Sequence, residues 1–353
     1  MQIKTIERWI MKKFFTAVLC ILLIISMTSC GSEKKDMDGK NTEVKNTGKN
    51  GASEDHYPVT VTTYNYEGDE IKTAYDKKPE KVLAVYQGSI ETMLKLGLAD
   101  SITAAAGLDN EVSQNLKADF DKLKYLDVFT PSKEDVMMLE PDMILSWGSL
   151  FGEKNLGDVN YWIEKGCNTY INSNTRRGAH SRTLENEYTD ILNIGKIFNV
   201  EDKAEAIVNE MKNEINNVIS KTKGNTEKKK VMIIEPINGK ITNYGSKTLG
   251  GNMVEALGAE LIVPEGNDVG KEDIVAANPD IIFVVYMAYS GEDGEDVKQS
   301  QLDLILKDDA FSSLKSVKEK KVYPIMLGDM YASGIRTMDG IINFARGIYP
   351  ELY

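Results

Sequence analysis

A fourteen-residue pattern occurs twice in this chain. Residues 132–145 read SKEDVMMLEPDMIL and residues 270–283 read GKEDIVAANPDIIF, so Lys-Glu-Asp and Pro-Asp recur at one spacing, 138 residues apart. In each copy a Ser or Gly stands where a helix N-cap belongs, and acids fill the first turn, where they complement the helix dipole. The proline then ends the helix and an apolar run follows. A helix-Pro-Asp-strand join is common in α/β proteins, but the shared Lys-Glu-Asp favours duplication of one supersecondary unit. Two lobes of similar fold are therefore expected.

The runs Val82–Val85, Met143–Leu145 and Ile281–Tyr286 lack polar alternation, which suits strands covered on both faces. Helical stretches lie between them, at Ser89–Leu96, Lys133–Leu139 and Lys271–Ala277. The predicted class is α/β with mostly parallel sheets. Between the two copies, Thr183–Thr222 contains no proline and one glycine, Gly195. From Ala204 on, its apolar residues recur every three to four positions, as in an amphipathic helix. Asn199–Asp202 is expected to interrupt the stretch, with Asn199 or a neighbour capping the second segment. Such a helix would be a stiff spine between two similar α/β lobes.

The N-terminus sets the address. Lys12 and Lys13 precede an apolar run from Phe14 to Ser29, the layout of a secretory signal. The run is short of the roughly 20 apolar residues that span a bilayer. It ends in Met27-Thr28-Ser29-Cys30-Gly31, which resembles a bacterial lipobox with Met27 in place of the usual Leu or Val. Cys30 is then the expected lipidation site, and Met11 an alternative start to Met1. Residues 31–56 are nearly free of aliphatic and aromatic side chains and read as a flexible tether. Of three cysteines only Cys167 belongs to the body, so neither an intramolecular disulfide nor a cysteine metal cluster is expected. The net charge is −12, and about −15 without residues 1–29, which argues against nucleic acid as a partner. The expected organisation is a signal at 1–29, lipidated Cys30 and tether at 30–57, an N-terminal lobe at 58–182, a spine region at 183–223 and a C-terminal lobe at 224–353.

Six lines then come in a recognisable order: KVLAVYQGSIETMLKLGL (81–98), PSKEDVMMLEPDMILSW (131–147), TLGGNMVEALGAELIV (248–263), VGKEDIVAANPDIIFVVY (269–286), SVKEKKVYPI (316–325) and GIINFARGIYPELY (340–353). Together they resemble class III periplasmic binding proteins of ABC importers, the group serving ferric siderophores, haem and cobalamin. The resemblance covers about Lys81–Tyr353. It implies two α/β lobes, a ligand cleft between them, a spine that permits little closure, and no enzymatic activity. It also implies one exposed glutamate on each lobe that docks on the permease, placed here at Glu91 and Glu255. The implied partners are an ABC permease with its cytoplasmic ATPase and a bulky small-molecule ligand, the protein itself being a monomer. The implied location is the outer face of the cell membrane, held by lipid, as on a Gram-positive cell surface.

In parallel α/β sheets ligands sit beyond the carboxyl ends of strands. The candidate ligand-binding residues at those ends are Tyr86, Gln87, Ser89, Trp147, Arg176, Arg177, Tyr244, Tyr286, Tyr331 and Arg336. Tyr and Trp offer large contact area with a polar handle, suited to a flat or bulky ligand. Arginine is scarce, six residues against 36 lysines, yet Arg176, Arg177 and Arg182 cluster, which favours an anionic ligand. The only histidines are His56 and His180, too few for a bare transition-metal ion, so no metal site or cofactor is expected. The favoured ligand is a ferric siderophore or similar chelate. Haem or a corrinoid is the alternative, as is a ligand-sensing surface lipoprotein without transport. No nucleophile elbow, Walker loop or GxGxxG supports an enzyme, and no catalytic residues are assigned.

Overall fold

The structure, a computed structural model, describes residues 56–224, 227–289 and 291–353. The signal-like segment, Cys30 and the tether as far as Asp55 lie outside the described residues.

Two sheets organise the chain. An antiparallel ribbon of β1 (Val59–Tyr64) and β2 (Glu70–Tyr75) comes first. The N-terminal sheet follows: β3 (Val82–Val85), β4 (Ile102–Ala106), β5 (Tyr125–Leu126), β6 (Met143–Ser146) and β7 (Asn168–Ile171). These pair in the order β5-β4-β3-β6-β7, all parallel. Every residue of β3 and β6 is buried, as their unbroken apolar runs require of strands with both faces covered. The C-terminal sheet holds β8 (Lys230–Ile237), β9 (Lys240–Asn243), β10 (Glu260–Leu261), β11 (Asp268–Val269), β12 (Ile281–Tyr286) and β13 (Val322–Met326). Its order is β11-β9-β8-β12-β13, with β10 beside β8. Its centre, β8-β12-β13, is parallel, whereas β9 joins β8 as a hairpin.

The duplicated motif builds one join in each lobe. Both helices, Lys133–Leu139 and Lys271–Ala277, fall where the sequence puts them. In the first copy the Ser132 hydroxyl accepts from the Asp135 N–H at 3.2 Å and the Asp135 carboxylate takes the Ser132 N–H, a reciprocal cap. In the second, Asp273 takes the Gly270 N–H at 2.8 Å, and glycine has no side chain to return the bond. Each helix ends on a left-handed residue, Glu140 and Asn278. The aspartate after the proline then ties down the start of the neighbouring strand. Asp142 accepts from the N–H groups of Glu80 and Lys81, both at 2.9 Å, and Asp280 from that of Lys230 at 2.9 Å. The echo is thus a repeated structural device, satisfying backbone donors at the start of an inner strand of each sheet.

The lobes are linked by the helices Leu184–Phe198 and Glu201–Thr222. Asn199 does not cap the second helix. It ends the first in the left-handed conformation, with φ 55°, and the second starts at Val200 without a side-chain cap. The two helices pack closely enough that a Cβ on Gly195 would collide with that of Ala204, so only glycine fits there. The 22-residue second helix spans roughly 33 Å. Near its start Lys203 donates to the Leu96 carbonyl of the first lobe at 3.0 Å, and near its end Ile219 lies against Gly258 of the second. The folded body begins two residues earlier than expected. The His56 ring contacts the Lys196 carbonyl and the Tyr57 hydroxyl donates to that of Ile197 at 2.7 Å, so both residues belong to the body rather than the tether.

One expectation is reversed by packing. The helix Gln87–Lys95 was read as carrying an exposed glutamate, but Gln87 through Leu94 are all buried, Glu91 completely. The segment Gly334–Arg336 of the other lobe lies against this helix; a Cβ on Gly334 would come within 2.5 Å of the Thr92 hydroxyl. Glu91 faces Arg336 across that contact. It is therefore a carboxylate that joins the lobes, and cannot reach a separate protein.

Candidate ligand cleft

Tyr86 sits where β3 gives way to the helix Gln87–Lys95. Its backbone has φ 83° and ψ 149°, a region that non-glycine residues essentially avoid, at a cost of order 1–3 kcal/mol. The conformation is held from both sides: the Tyr86 N–H donates to the Ala106 carbonyl at 2.9 Å, and the Tyr86 carbonyl accepts from Ile90. The outcome is a tyrosine ring on the wall between the lobes, its centroid 3.8 Å from that of Trp147. Trp147 follows β6, and its ring is 6.0 Å from that of Tyr331, which comes from the loop after β13. Aromatic residues from both lobes thus meet over the carboxyl ends of the central strands.

They enclose a cavity of about 290 Å³. Of the candidates read from sequence, Tyr86, Gln87, Trp147, Tyr244 and Tyr331 line it. Ser89 does not; it is fully buried and donates to Asn172. Tyr286 is half-buried at the end of β12 and off the wall, its place there taken by Met287 and Tyr289. The arginines are distributed differently from the expectation. Arg176 lies 4.9 Å over the Tyr64 ring and donates to the Ser173 carbonyl, and Arg177 stacks 4.2 Å over Tyr66. Neither lines the cavity. Arg336 is buried against Glu91: Nε to Oε2 at 2.6 Å, Nη2 to Oε1 at 2.8 Å, with Nη2 also reaching the Glu111 carbonyl. Its Nε and Nη2 are committed within the protein, and it is not among the residues that line the cavity. Arg182 alone of the clustered arginines comes near the cleft, its guanidinium 3.6 Å over the Tyr331 ring. In the second lobe Glu255 is exposed and accepts from Ser246 at 2.6 Å.

Sequence reading missed Asp109 and Asn110. They follow β4, an Ala-rich strand without a run of bulky apolar residues to mark its carboxyl end. The Gln87 side chain organises this corner. Its Oε1 accepts from the N–H groups of Asp109 and Asn110, and its Nε2 donates to Glu91 at 2.8 Å, which connects the cleft wall to the buried ion pair. Asn110 reaches across to the other lobe, where its Nδ2 donates to the Ala288 carbonyl at 2.5 Å.

The polar chemistry of the wall is made of tyrosine-carboxylate pairs. The Tyr86 hydroxyl donates to Asp109, and Tyr244 donates to Glu235 at 2.6 Å. Burial first, and then these neighbouring carboxylates, push both tyrosines up, so each remains a neutral donor. Burial also raises the Asp109 carboxyl, partly offset by the Tyr86 bond. The wall offers aromatic faces, amides and carboxylates; no lysine or arginine is among its lining residues.

Two lobes, a linking helix pair and an aromatic cavity at the strand ends are the attributes of a solute-binding protein. The periplasmic binding protein family model matches residues 44–326, and the chain belongs to that family. It is similar to the petrobactin-binding protein YclQ of Bacillus subtilis, 26% identical over 339 residues, 92% of this chain and 94% of that protein. It is also similar to an uncharacterized ABC transporter substrate-binding lipoprotein, YvrC, of the same organism, at 24% identity over 94% of this chain and 96% of the relative. Among solved structures, a periplasmic binding protein from Veillonella parvula superposes with a TM-score of 0.77 at 30% identity, over 84% of this chain and 93% of the other. The chain is thus a substrate-binding protein of an ABC transporter and not an enzyme. Proteins of this kind bind a small ligand outside the cytoplasm and deliver it to a permease. Among the described residues no helix is long and apolar enough to cross a membrane.

Proposed function

We propose that the protein captures a ferric siderophore or a similar bulky chelate at the outer face of the cell membrane and hands it to its permease. The aromatic cavity between the lobes carries this reading. It presents rings interspersed with hydrogen-bonding groups and, among the described residues, no metal-ligating cluster, which suits a ligand that arrives with its metal already saturated. The likeness to a petrobactin-binding protein supports the same class. Anchoring through lipid at Cys30, with residues 31–55 as tether, is in keeping with a relative named as a lipoprotein.

Burial removes Glu91 from permease contact, whereas Glu255 is exposed and remains a candidate on the second lobe. The duplicated motif supplies a matched pair: Glu134 and Glu272 occupy the same position in the two helices, and both are exposed. A carboxylate there can meet arginine in bidentate fashion.

The test is a fluorescence titration of the body from His56 onward against ferric siderophores, haem and cobalamin. Saturable quenching by a ferric chelate is expected. Responses confined to haem or cobalamin would move the assignment to those ligands, and no response to any of the three would defeat it.

A further inference from the structure

The cleft that sequence reading expected to hold an anion is built for the opposite charge. Its lining combines the faces of Tyr86, Trp147, Tyr244 and Tyr331 with the Asp109 carboxylate. Aromatic faces carry negative charge density and attract ammonium and guanidinium groups, more strongly where water is excluded. One face already holds such a group, since Arg182 lies 3.6 Å over Tyr331. Against that single guanidinium stand Asp109 and, behind Tyr244, Glu235. Among the described residues Asp109 forms no salt bridge; Tyr86 is the group that stabilises its charge. A second observation points the same way. Asn110 lines the cavity and is only 2% exposed, and its Oδ1 is a buried acceptor with no hydrogen-bond partner. A buried acceptor left unpaired costs of order 1–3 kcal/mol, and a donor brought to it recovers that cost.

We propose that this cleft recognises a positively charged, hydrogen-donating group of its ligand, an ammonium arm held by the faces of Tyr86, Trp147 and Tyr244 with Asp109 as counter-charge, the Tyr331 face being taken by Arg182. The proposal rests on the cleft being the ligand site and adds the charge of the part that enters it. A chelate would therefore be selected by a protonated amine on its periphery rather than by anionic iron-binding groups.

Two pairs of probes test it on the full chain or on the body from His56. The first is 3,3-dimethylbutan-1-amine, protonated at pH 7, and its neutral isostere 3,3-dimethylbutan-1-ol, which need no iron. The ammonium should quench Trp147 saturably and bind roughly tenfold tighter than the alcohol, the scale of a desolvated cation–π contact. Asp109→Asn should remove most of that preference, read as the ratio of the two affinities. Equal binding of the two, or no binding of the ammonium, overturns the proposal. The second pair is ferrioxamine B, which carries a free ammonium, and its N-acetyl derivative, which does not. Equal binding of both chelates defeats the charge preference and leaves the chelate reading standing. An ammonium preference with neither chelate bound keeps the charge preference and counts against the chelate.

Discussion

Arg336 and Glu91 form a two-point ion pair, 2.6 and 2.8 Å, between a loop of the second lobe and a helix of the first, with Glu91 fully buried and Arg336 6% exposed. The pair lies behind the cleft wall and is joined to it through Gln87. A charge buried this way is costly unless its partner is present. Glu91→Ala should therefore destabilise the body by about 3–5 kcal/mol in urea unfolding, because it strands the guanidinium. The apolar pair Glu91→Leu with Arg336→Met should recover most of the loss. A double variant no more stable than Glu91→Ala would show that the pair contributes more than mutual neutralisation.

Glu91 and the exposed acids should also separate in cells. Glu134→Ala with Glu272→Ala is expected to lower uptake while leaving stability and ligand affinity within about 0.5 kcal/mol of the parent, as surface changes usually do. Glu91→Ala should lower uptake only in proportion to the protein lost. The comparison needs uptake, surface abundance and affinity measured on the same strains, and full uptake by the double variant would remove these two residues from the docking role.

Tyr86 offers a test of stored strain. At φ 83° alanine is as strained as tyrosine, whereas glycine is not. Tyr86→Gly should therefore be more stable than Tyr86→Ala by about 1 kcal/mol, the reverse of the usual order of the two residues. Both should lose ligand affinity, because both remove the ring that stacks on Trp147. Equal unfolding midpoints for the two would mean that the backbone relaxes once the ring is gone.

The folded body carries two tryptophans, Trp147 and Trp162. Trp162 is buried and donates to the Leu156 carbonyl at 2.7 Å, away from the cavity wall, so ligand-dependent quenching should come from Trp147. Trp147→Phe is expected to abolish at least most of the signal, while calorimetry still detects binding. Persistent quenching in that variant would place the ligand elsewhere.

Two buried carboxyls give stability a pH dependence. Glu187 is pushed up to about 7 by burial and then by the Asp190 charge, despite accepting from Asn174 and the Gly334 N–H. Asp329 is also raised to about 7 by burial, moderated by Arg336. Both are raised above their ordinary values, so their contribution is complete below the normal carboxylate range and is lost as pH rises through about 7. The urea midpoint should fall between pH 5.5 and 8, and Glu187→Gln should flatten that fall. A midpoint that rises over this interval would contradict the assignment.

The carboxyl ends of β3 and β6 were legible because unbroken apolar runs mark buried parallel strands, and Tyr86 and Trp147 directly follow such runs, while Tyr331 lies in the loop after β13. The corner at Asp109 and Asn110 was not, because β4 is Ala-rich and lacks a bulky apolar run. The arginines misled for a related reason. Composition counts charges but does not say what they meet, and Arg176 and Arg177 lie over Tyr64 and Tyr66 rather than on the cavity wall.

The sequence by itself determined the repeated unit. Its helix start and its proline stop are local, acting over a few residues, and they fall at the same positions in both lobes, whereas the aspartate ties bridge 61 residues in one lobe and 50 in the other. Only the tertiary structure decided what Glu91 does. A glutamate on a short helix reads as solvated until the other lobe is laid against it. Burial by a residue 245 positions away then turns a surface acid into half of an ion pair, because in that desolvated contact each charge is tolerable only beside the other.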